Sequence, residues 1–209
     1  MVLVRAVTAG HRRRAALNRA AELLRLGPAS GAVLPDRRED RPSLTRGEGN
    51  HPPALMIDRV AAFTTVVETR AESITVTGSD RLRGGFTVDM GEISGTFMTL
   101  ACLAPYADAP IEMTGIAHAR LKESDRIEAT AQNLRRCGIA VDTGPDRITV
   151  HPGRPGPATI DCHRDHRIAM SFSVLGLRAP GIELDDPTCV GKTFPEFHTV
   201  FAAAFGSRS

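Results

Sequence analysis

A pattern that occurs twice in the body of this chain constrains its fold more than any other sequence feature. The dipeptide Asp58-Arg59, followed by valine, recurs 67 residues later as Asp125-Arg126, followed by isoleucine. A second pair of landmarks, Val88-Asp89-Met90 and Ile160-Asp161-Cys162, lies 72 residues apart. Because a repeat of this size is typical of stacked units that share one core, the sequence predicts two copies of one supersecondary unit.

Each copy of the unit predicts a helix, three strands, a second helix and a closing strand. In the first copy we expect a helix from residue 56 to about residue 69 and a strand over Ser73–Thr77, before a helix that contains Met98. Stretches rich in β-branched residues predict the closing strands of the two copies, Ile111–Thr114 and Ile182–Leu184. The second copy predicts a helix to about residue 137, strands near residues 139–142 and 147–151, a loop near 153–157, and a helix over 168–177.

Residues 1–53 differ in composition from the rest of the chain. The first fifty residues hold ten arginines against five acidic residues, and residues 28–53 are rich in proline, glycine, arginine and aspartate. Such a composition favours a poorly ordered extension, in which residues 15–26 form a short amphipathic helix. We therefore expect the folded domain over residues 54–209, with its two repeats at about 56–121 and 122–194.

Composition excludes several classes of function. The formal net charge is only +2, which argues against binding nucleic acid through bulk positive charge. No apolar run is long enough to span a membrane, and the first residues lack the continuous apolar core of a secretory signal. The four cysteines include no Cys-x-x-Cys pair, so we expect a reducing, cytoplasmic environment with neither nucleic acid nor membrane as a partner.

The stretch from His118 to Arg126 holds the first cluster of groups that could do chemistry. Lys122, Glu123 and Arg126 surround the start of a predicted helix, whose N-terminus favours anions. Ser124 or Asp125 is placed to cap the first amides of that helix. The spacing alone favours a solvated helix terminus with a local ion pair.

Two further stretches add cations at corresponding places in the sequence. Cys162 to Arg167 precedes the predicted helix of the second copy, and its Cys162, His163 and His166 form at best a weak metal-binding pattern. Lys192 follows Gly191 without the spacing of a phosphate-binding P-loop. The residues alone therefore predict an anion-binding face around one glutamate, with the cations Lys122, Arg126, Arg167 and Lys192.

These stretches closely resemble the C-terminal signatures of EPSP synthase, in the order and spacing of that family. The matching segments run from Gly115 to Ile127, from Asp165 to Met170 and from Gly191 to Pro195, with a fourth match at Val88-Asp89-Met90-Gly91-Glu92-Ile93-Ser94. The resemblance implies an α/β (α+β) fold, namely an incomplete inside-out α/β barrel domain of the enolpyruvyl transferase type, built from repeated βαβαββ units. In this fold parallel helices lie inside, sheets lie outside, and helix N-termini point into a cleft that suits anionic substrates.

The same resemblance implies a reaction and a set of roles. The family transfers the enolpyruvyl group of phosphoenolpyruvate to shikimate 3-phosphate, in the pathway to chorismate and the aromatic amino acids, without a metal or organic cofactor. It implies catalytic roles for Glu123, which moves the proton, and for Lys192. The implied substrate-binding residues are Arg126, Arg167 and His166 for phosphoenolpyruvate, Lys122 for shikimate 3-phosphate, and His118, which stands where many relatives have asparagine.

Two departures from the family pattern leave alternatives open. Gly95 stands where the family usually has the aspartate that is the leading candidate for the base, and only Glu92 or Asp89 lies nearby in sequence to replace it. No part of the chain resembles the family's N-terminal domain, so we expect dependence on a complementary half. The alternatives are a non-catalytic anion-binding remnant and, less favoured by the motifs, a UDP-N-acetylglucosamine enolpyruvyl transferase.

Overall fold

The computed structural model describes residues 82–205 and, earlier in the chain, three short strands. The chain forms two compact units, Met1–Asp80 and Arg81–Ser209. In the first unit the strands β1 (Leu3–Arg5), β2 (Val66–Arg70) and β3 (Ser73–Thr77) form one sheet in the order β1-β3-β2. Strand β1 is parallel to β3, whereas β2 is antiparallel to it.

Strand β2 corrects one sequence prediction, while β3 confirms another. The helix expected to reach residue 69 is wrong over Val66–Arg70, which pairs with Ser73–Thr77 as a hairpin. Two adjacent valines and a threonine give this segment a β preference that overrides its place after a helix-like stretch. The predicted helix over 15–26 and the boundary after residue 53 lie outside the described residues. Of the extension predicted over 1–53, only the strand Leu3–Arg5 is described, so these three interpretations stay predictions.

The second unit contains two further sheets and four α-helices. Strands β4 (Phe86–Asp89), β5 (Ile111–Thr114), β6 (Val141–Thr143) and β7 (Ile148–Val150) form a sheet in the order β4-β5-β7-β6. Strands β8 (Ala158–Ile160) and β9 (Ile182–Leu184) form a parallel pair. The helices are α1 (Phe97–Leu103), α2 (Arg126–Arg136), α3 (His166–Gly176) and α4 (Phe197–Phe205).

Short 3-10 helices connect these elements at the ends of strands. They cover Gly91–Thr96, Ala104–Tyr106, Ala117–Leu121 and Pro187–Lys192. The predicted strands at Ile111–Thr114 and Ile182–Leu184 are confirmed to the residue, and the predicted helices and loop of the second copy are confirmed within two residues. None of the helices within the described part of the chain is long and apolar enough to cross a bilayer.

The order strand, helix, parallel strand occurs twice in this unit. Strands β4 and β5 are parallel neighbours connected through α1, and β8 and β9 are parallel neighbours connected through α3. The hydroxyls of Thr99 on α1 and Ser171 on α3, which are 72 residues apart, lie 3.0 Å from each other in the core. The two copies therefore meet through equivalent positions of their helices.

The helices provide the centre of the core. Helix α1 buries six of its seven residues, and Phe97, Met98 and Phe172 are fully buried. In strand β7, Ile148 and Val150 are buried while the residue between them is partly exposed, so one face of this sheet covers the helices. This arrangement agrees with the fold class that the resemblance implies, and it brings the N-termini of α2 and α3 close together.

Candidate anion-binding site

Aspartates cap both helices that carry the predicted site residues. Asp125 accepts a hydrogen bond from the backbone amide of Glu128 at 3.0 Å and begins α2. Asp165 accepts a hydrogen bond from the amide of Arg167 at 3.0 Å and begins α3. The caps satisfy first-turn amides and fix where each helix starts, so the charged residues that flank them have defined positions.

Arg126 and Asp165 form a buried ion pair that joins the two helix N-termini. The guanidinium donates from Nε to Asp165 Oδ2 at 2.7 Å and from Nη2 to Oδ1 at 3.1 Å. Ser124 donates a further hydrogen bond to Asp165 Oδ2 at 3.0 Å. Because Arg126 is 4% exposed and Asp165 is 0% exposed, this two-pronged contact holds the arginine fork rigidly.

Glu123 contacts two of the predicted cations at once. Its Oε2 accepts from Arg126 Nη2 at 2.6 Å, and its Oε1 lies 3.7 Å from Lys192 Nζ. The side chain of Glu123 is 33% exposed, and that of Lys192 is 64% exposed. The glutamate therefore lies at the edge of the buried ion pair, where a ligand from solvent can reach it.

The carboxyls of this cluster are held in the ionised form. Burial raises the pKa of Glu123, but the hydrogen bond from its own backbone amide and the charge of Arg126 outweigh burial, and the net pKa is lowered. Burial likewise raises the pKa of Asp165, but its hydrogen bonds with Arg126 and the charge of that guanidinium lower the pKa overall. Both groups are therefore carboxylates at neutral pH.

His166 and Arg167 lie on the first turn of α3, beside this cluster. Burial lowers the pKa of His166, which favours the neutral imidazole, and its Nδ1 is buried without a hydrogen-bond partner among the described residues. Arg167 donates from Nη1 to the backbone carbonyl of Gly95 at 2.9 Å. Lys122 is exposed, and its ammonium makes no ion pair within residues 82–205.

His118 lies apart from the ion pairs, on the loop that leads to α2. Its Nε2 forms a short hydrogen bond with the hydroxyl of Ser94, which is 5% exposed. Ser94 precedes Gly95, the residue whose carbonyl binds Arg167, so His118 reaches the cluster through two neighbouring residues of another element. Among the residues predicted from sequence, the structure thus brings Glu123, Arg126 and Lys192 into direct contact.

Two site residues were missed because their partners are distant in sequence. In the sequence, Asp165 is part of a motif, and its place just before a predicted helix is a usable signal for a helix cap. Its ion pair with Arg126 has no local signal, because Arg126 lies 39 residues earlier. Ser94 carries no local signal that points to His118, 24 residues away. The expected local ion pair between Glu123 and Arg126 is present, and it is one part of the larger cluster.

The weak metal-binding pattern around Cys162 forms no ligand set. In the part of the chain that the structure describes, no group of three His, Cys, Asp or Glu residues could hold a metal ion. Burial raises the pKa of Cys162 to about 12, so this residue is a thiol rather than a thiolate. Cys162 packs instead in the core before α3.

The fold and the site together define an α/β domain that presents cations and a glutamate at helix N-termini, an arrangement suited to a small anion with carboxylate or phosphate groups. The profile of the family described as EPSP synthase (3-phosphoshikimate 1-carboxyvinyltransferase) matches residues 53–201. The chain belongs to the EPSP synthase family.

Individual relatives agree with this assignment. The chain is 47% identical over 126 residues to the 3-phosphoshikimate 1-carboxyvinyltransferase of Nostoc punctiforme. The aligned segment covers 60% of this chain and 29% of that protein. It is 41% identical over 149 residues to the enzyme of the same name from Methanosphaerula palustris, and this aligned segment covers 71% of this chain and 35% of that protein. The chain thus spans about a third of the length of the curated relatives it matches.

Solved structures show the same fold. The EPSP synthase of Acinetobacter baumannii superposes with a TM-score of 0.56 and 30% identity, over 68% of this chain and 35% of that one. The enolpyruvyl transferase NikO from Streptomyces tendae superposes with a TM-score of 0.59 at 19% identity, over 74% of this chain and 35% of that one. At that identity the second likeness concerns the fold alone.

Proposed function

We propose that this chain supplies the phosphoenolpyruvate-binding side of an active site that transfers the enolpyruvyl group to shikimate 3-phosphate. The observation that carries the proposal is the contact of one partly exposed carboxylate, Glu123, with both Arg126 and Lys192. Cations alone would serve any anion, whereas an embedded carboxyl also supplies a group that can carry a proton. The products are 5-enolpyruvylshikimate 3-phosphate and phosphate, and we place the reaction in the cytoplasm.

The cations act first by binding and orienting phosphoenolpyruvate. Arg167 offers a planar guanidinium that matches carboxylate and phosphate oxygens, and Lys192 adds a mobile point charge. Arg126 contributes its Nη1 group, the guanidinium nitrogen that does not contact Asp165 or Glu123. Asp165 keeps the Arg126 fork in place before the substrate arrives, so little reorganisation is needed on binding. The contact of Arg167 with a single backbone carbonyl is readily exchanged for an anion.

Glu123 then moves the proton. In its protonated form it donates a proton to the methylene carbon of phosphoenolpyruvate, while the acceptor hydroxyl gives its own proton to a base and its oxygen bonds to the neighbouring carbon. When the resulting tetrahedral intermediate loses phosphate, the Glu123 carboxylate removes a proton from the methyl group and restores the double bond. The negative charges of the bound substrate counteract Arg126 and Lys192, which raises the pKa of Glu123 toward the value that this role needs.

The remaining predicted residues complete the substrate contacts. Lys122, exposed beside Glu123, is placed to bind shikimate 3-phosphate, and neutral His166 lines the phosphoenolpyruvate side. The chain spans about a third of its relatives' length, so we assign the rest of the shikimate 3-phosphate contacts to a complementary N-terminal half. A cleft closed from both sides excludes water and strengthens every charge interaction within it.

The experiment is phosphate release from the two substrates, with the chain alone and with the N-terminal portion of a relative expressed separately. We expect turnover only in the mixture, and Glu123→Gln should lower kcat by at least about 100-fold because it removes the proton carrier. Glu128→Gln is the matched control, because Glu128 lies on the same helix and contacts Gln132 and Arg135 rather than the cluster. Equal rates for Glu123→Gln and the unmodified chain would refute the proposal.

One observation favours a second candidate function. Gly95 has no side chain at the position where the resemblance implies a carboxylate, so the chain could bind anions without catalysing transfer. This alternative predicts that phosphoenolpyruvate binds to the chain while no mixture releases phosphate. A relative's own two halves, mixed in the same way, would show that the added half is competent.

A further inference from the structure

Ser94 and His118 form a polar pair that has no part in phosphoenolpyruvate binding as described above. Ser94 lies in the 3-10 helix Gly91–Thr96 and is almost fully buried, whereas His118 lies in the 3-10 helix Ala117–Leu121 and is exposed. Their hydrogen bond joins the serine hydroxyl to the Nε2 atom of the imidazole. One ring nitrogen is therefore fixed by the protein while the ring itself remains open to solvent.

The surrounding contacts place this pair beside the anion-binding cluster. On one side, Ser94 is followed by Gly95, whose carbonyl accepts from Arg167 Nη1 at 2.9 Å. On the other side, the loop that carries His118 leads within five residues to Glu123. Arg120 pins this loop, donating from Nε to Pro145 O at 3.0 Å and from Nη1 to Asp125 Oδ2 at 2.7 Å.

The nearby aspartates are committed to other contacts. Asp89 Oδ1 accepts from the amide of Gly91 at 2.8 Å and closes the turn after β4. Asp165 is buried and bound to Arg126 and Ser124. An imidazole, by contrast, has two ring nitrogens, and the hydrogen bond at one of them sets which nitrogen keeps a free lone pair. If Nε2–H donates to Ser94 Oγ, the basic nitrogen of His118 is Nδ1, which makes no hydrogen bond with the described residues.

We propose that His118 is the base that takes the proton from the hydroxyl of the acceptor substrate, and that Ser94 is a positioning residue for its ring. This inference rests on the proposed function. The hydroxyl O–H bond breaks, its proton goes to His118 Nδ1, and the oxygen electron pair forms the new C–O bond to phosphoenolpyruvate. Glu123 gives its own proton to the methylene carbon in the same addition. The neutral imidazole thus becomes an imidazolium and the protonated Glu123 becomes a carboxylate, so the net charge does not change.

The experiment measures phosphate release in the mixture of the full chain with the complementary half. His118→Ala should lower kcat by about 100-fold or more, with the KM for phosphoenolpyruvate changed by less than about threefold. Free imidazole should raise the kcat of this variant by about tenfold or more, because the added base can diffuse into the space that the side chain leaves. His151→Ala is the control, since His151 is also partly exposed and pairs with Asp142 away from the cluster.

Variants of Ser94 separate positioning from simple structural support. Ser94→Ala should lower kcat by about tenfold and should add nothing to His118→Ala, whereas Ser94→Thr, which keeps the hydroxyl, should retain the native rate. The ¹⁵N spectrum of the unmodified chain should show protonation of His118 at Nε2, and Ser94→Ala should shift this tautomer. Circular dichroism would establish that each variant is folded.

Failure of this inference and failure of the proposed function give different results. Full activity of His118→Ala, or no rescue by imidazole, would overturn the inference alone. Turnover that appears only after Gly95→Asp would also overturn it while supporting the proposed function. If neither the unmodified chain nor Gly95→Asp gives turnover while the relative's own two halves are active, the proposed function and the inference are both overturned.

Discussion

At the scale of single residues, Glu123 is held by the cations that its proposed role must overcome. Arg126 at 2.6 Å and Lys192 at 3.7 Å contact its carboxylate. Burial raises the pKa of Glu123, but the hydrogen bond from its own backbone amide and the charge of Arg126 outweigh burial and lower it. A proton donor needs the opposite state. The arrival of an anionic substrate resolves this conflict, since the substrate competes for the same two cations.

Binding of phosphoenolpyruvate is therefore expected to be coupled to proton uptake by Glu123. Calorimetry at one pH in buffers of different ionisation enthalpy measures the number of protons taken up. Glu123→Gln should reduce this number, because glutamine has no carboxylate to protonate, while Glu128→Gln should leave it unchanged. The same proton uptake in the native chain and in Glu123→Gln would contradict this assignment.

Asp165 is expected to be the most costly carboxylate to remove from the site. Asp165→Asn leaves the buried Arg126 without a full counter-charge, so the free energy of unfolding should fall by about 3 kcal/mol. Because the folded state lowers the pKa of Asp165, its stabilisation is present at neutral pH and is lost as the pH falls through that lowered pKa. Denaturant unfolding of Asp165→Asn should therefore show a weaker dependence on acid pH.

Asp142→Asn is the control for that experiment. Asp142 is exposed and, among the described residues, its side chain pairs with His151 at the surface. Its replacement should therefore change the free energy of unfolding by less than about 0.5 kcal/mol. If the two variants have equal stability, the ion pair between Arg126 and Asp165 does not hold the helix ends together as inferred.

Sequence reasoning found the local part of this site and missed the long-range part. Glu123 and Arg126 are three residues apart at a helix start, so their contact follows from helix geometry. Asp165 reaches Arg126, and Ser94 reaches His118, only through the packing of separate elements. Spacing along the chain contains no information about such contacts unless the topology is already known.

At the scale of elements, the two closing strands were predictable from segments that contain β-branched residues. Ile111–Thr114 and Ile182–Leu184 match their predicted bounds, and α2 begins at the residue after its aspartate cap. The helix predicted to reach about residue 69 is wrong over Val66–Arg70 because this segment has two valines, which favour a strand.

A single buried amide fastens α2 to the end of β8. Asn133 donates from Nδ2 to the carbonyl of Asp161 at 2.9 Å and accepts at Oδ1 from the amide of Asp161 at 3.0 Å. This contact sets the distance between α2 and the turn that leads to α3. It therefore supports the approach of the two helix N-termini from the opposite end of α2.

Asn133→Ala should lower the free energy of unfolding by about 2 kcal/mol, because both backbone groups of Asp161 lose their partner. Gln132→Ala is the matched control. Gln132 is the preceding residue and is exposed, and within residues 82–205 its side chain donates to Glu128 Oε1 at 3.1 Å, so a change below about 0.5 kcal/mol is expected. Chemical denaturation of both variants measures the difference. Equal midpoints with equal slopes would show that the amide bridge is dispensable.

At the scale of the whole molecule, the order strand, helix, parallel strand occurs twice within residues 82–205. The 72-residue offset between landmarks is also the offset between Thr99 and Ser171, and between Gly95 and Arg167. The fold class therefore followed from the family resemblance, whereas the periodicity predicted a repeated unit. What the chain does as a complete enzyme depends on parts of the relatives that it does not match, since it spans about a third of their length.

We infer that this chain by itself carries one half of a phosphoenolpyruvate-binding site. Calorimetric titration of the isolated chain with phosphoenolpyruvate tests this most directly. The native chain should bind, and Arg167→Ala should bind about 10- to 100-fold more weakly, since one charge-assisted contact is lost. Arg147→Ala, which removes an exposed arginine paired with Glu112, should bind like the native chain. No measurable binding by the folded native chain, or equal weakening by both substitutions, would contradict the claim.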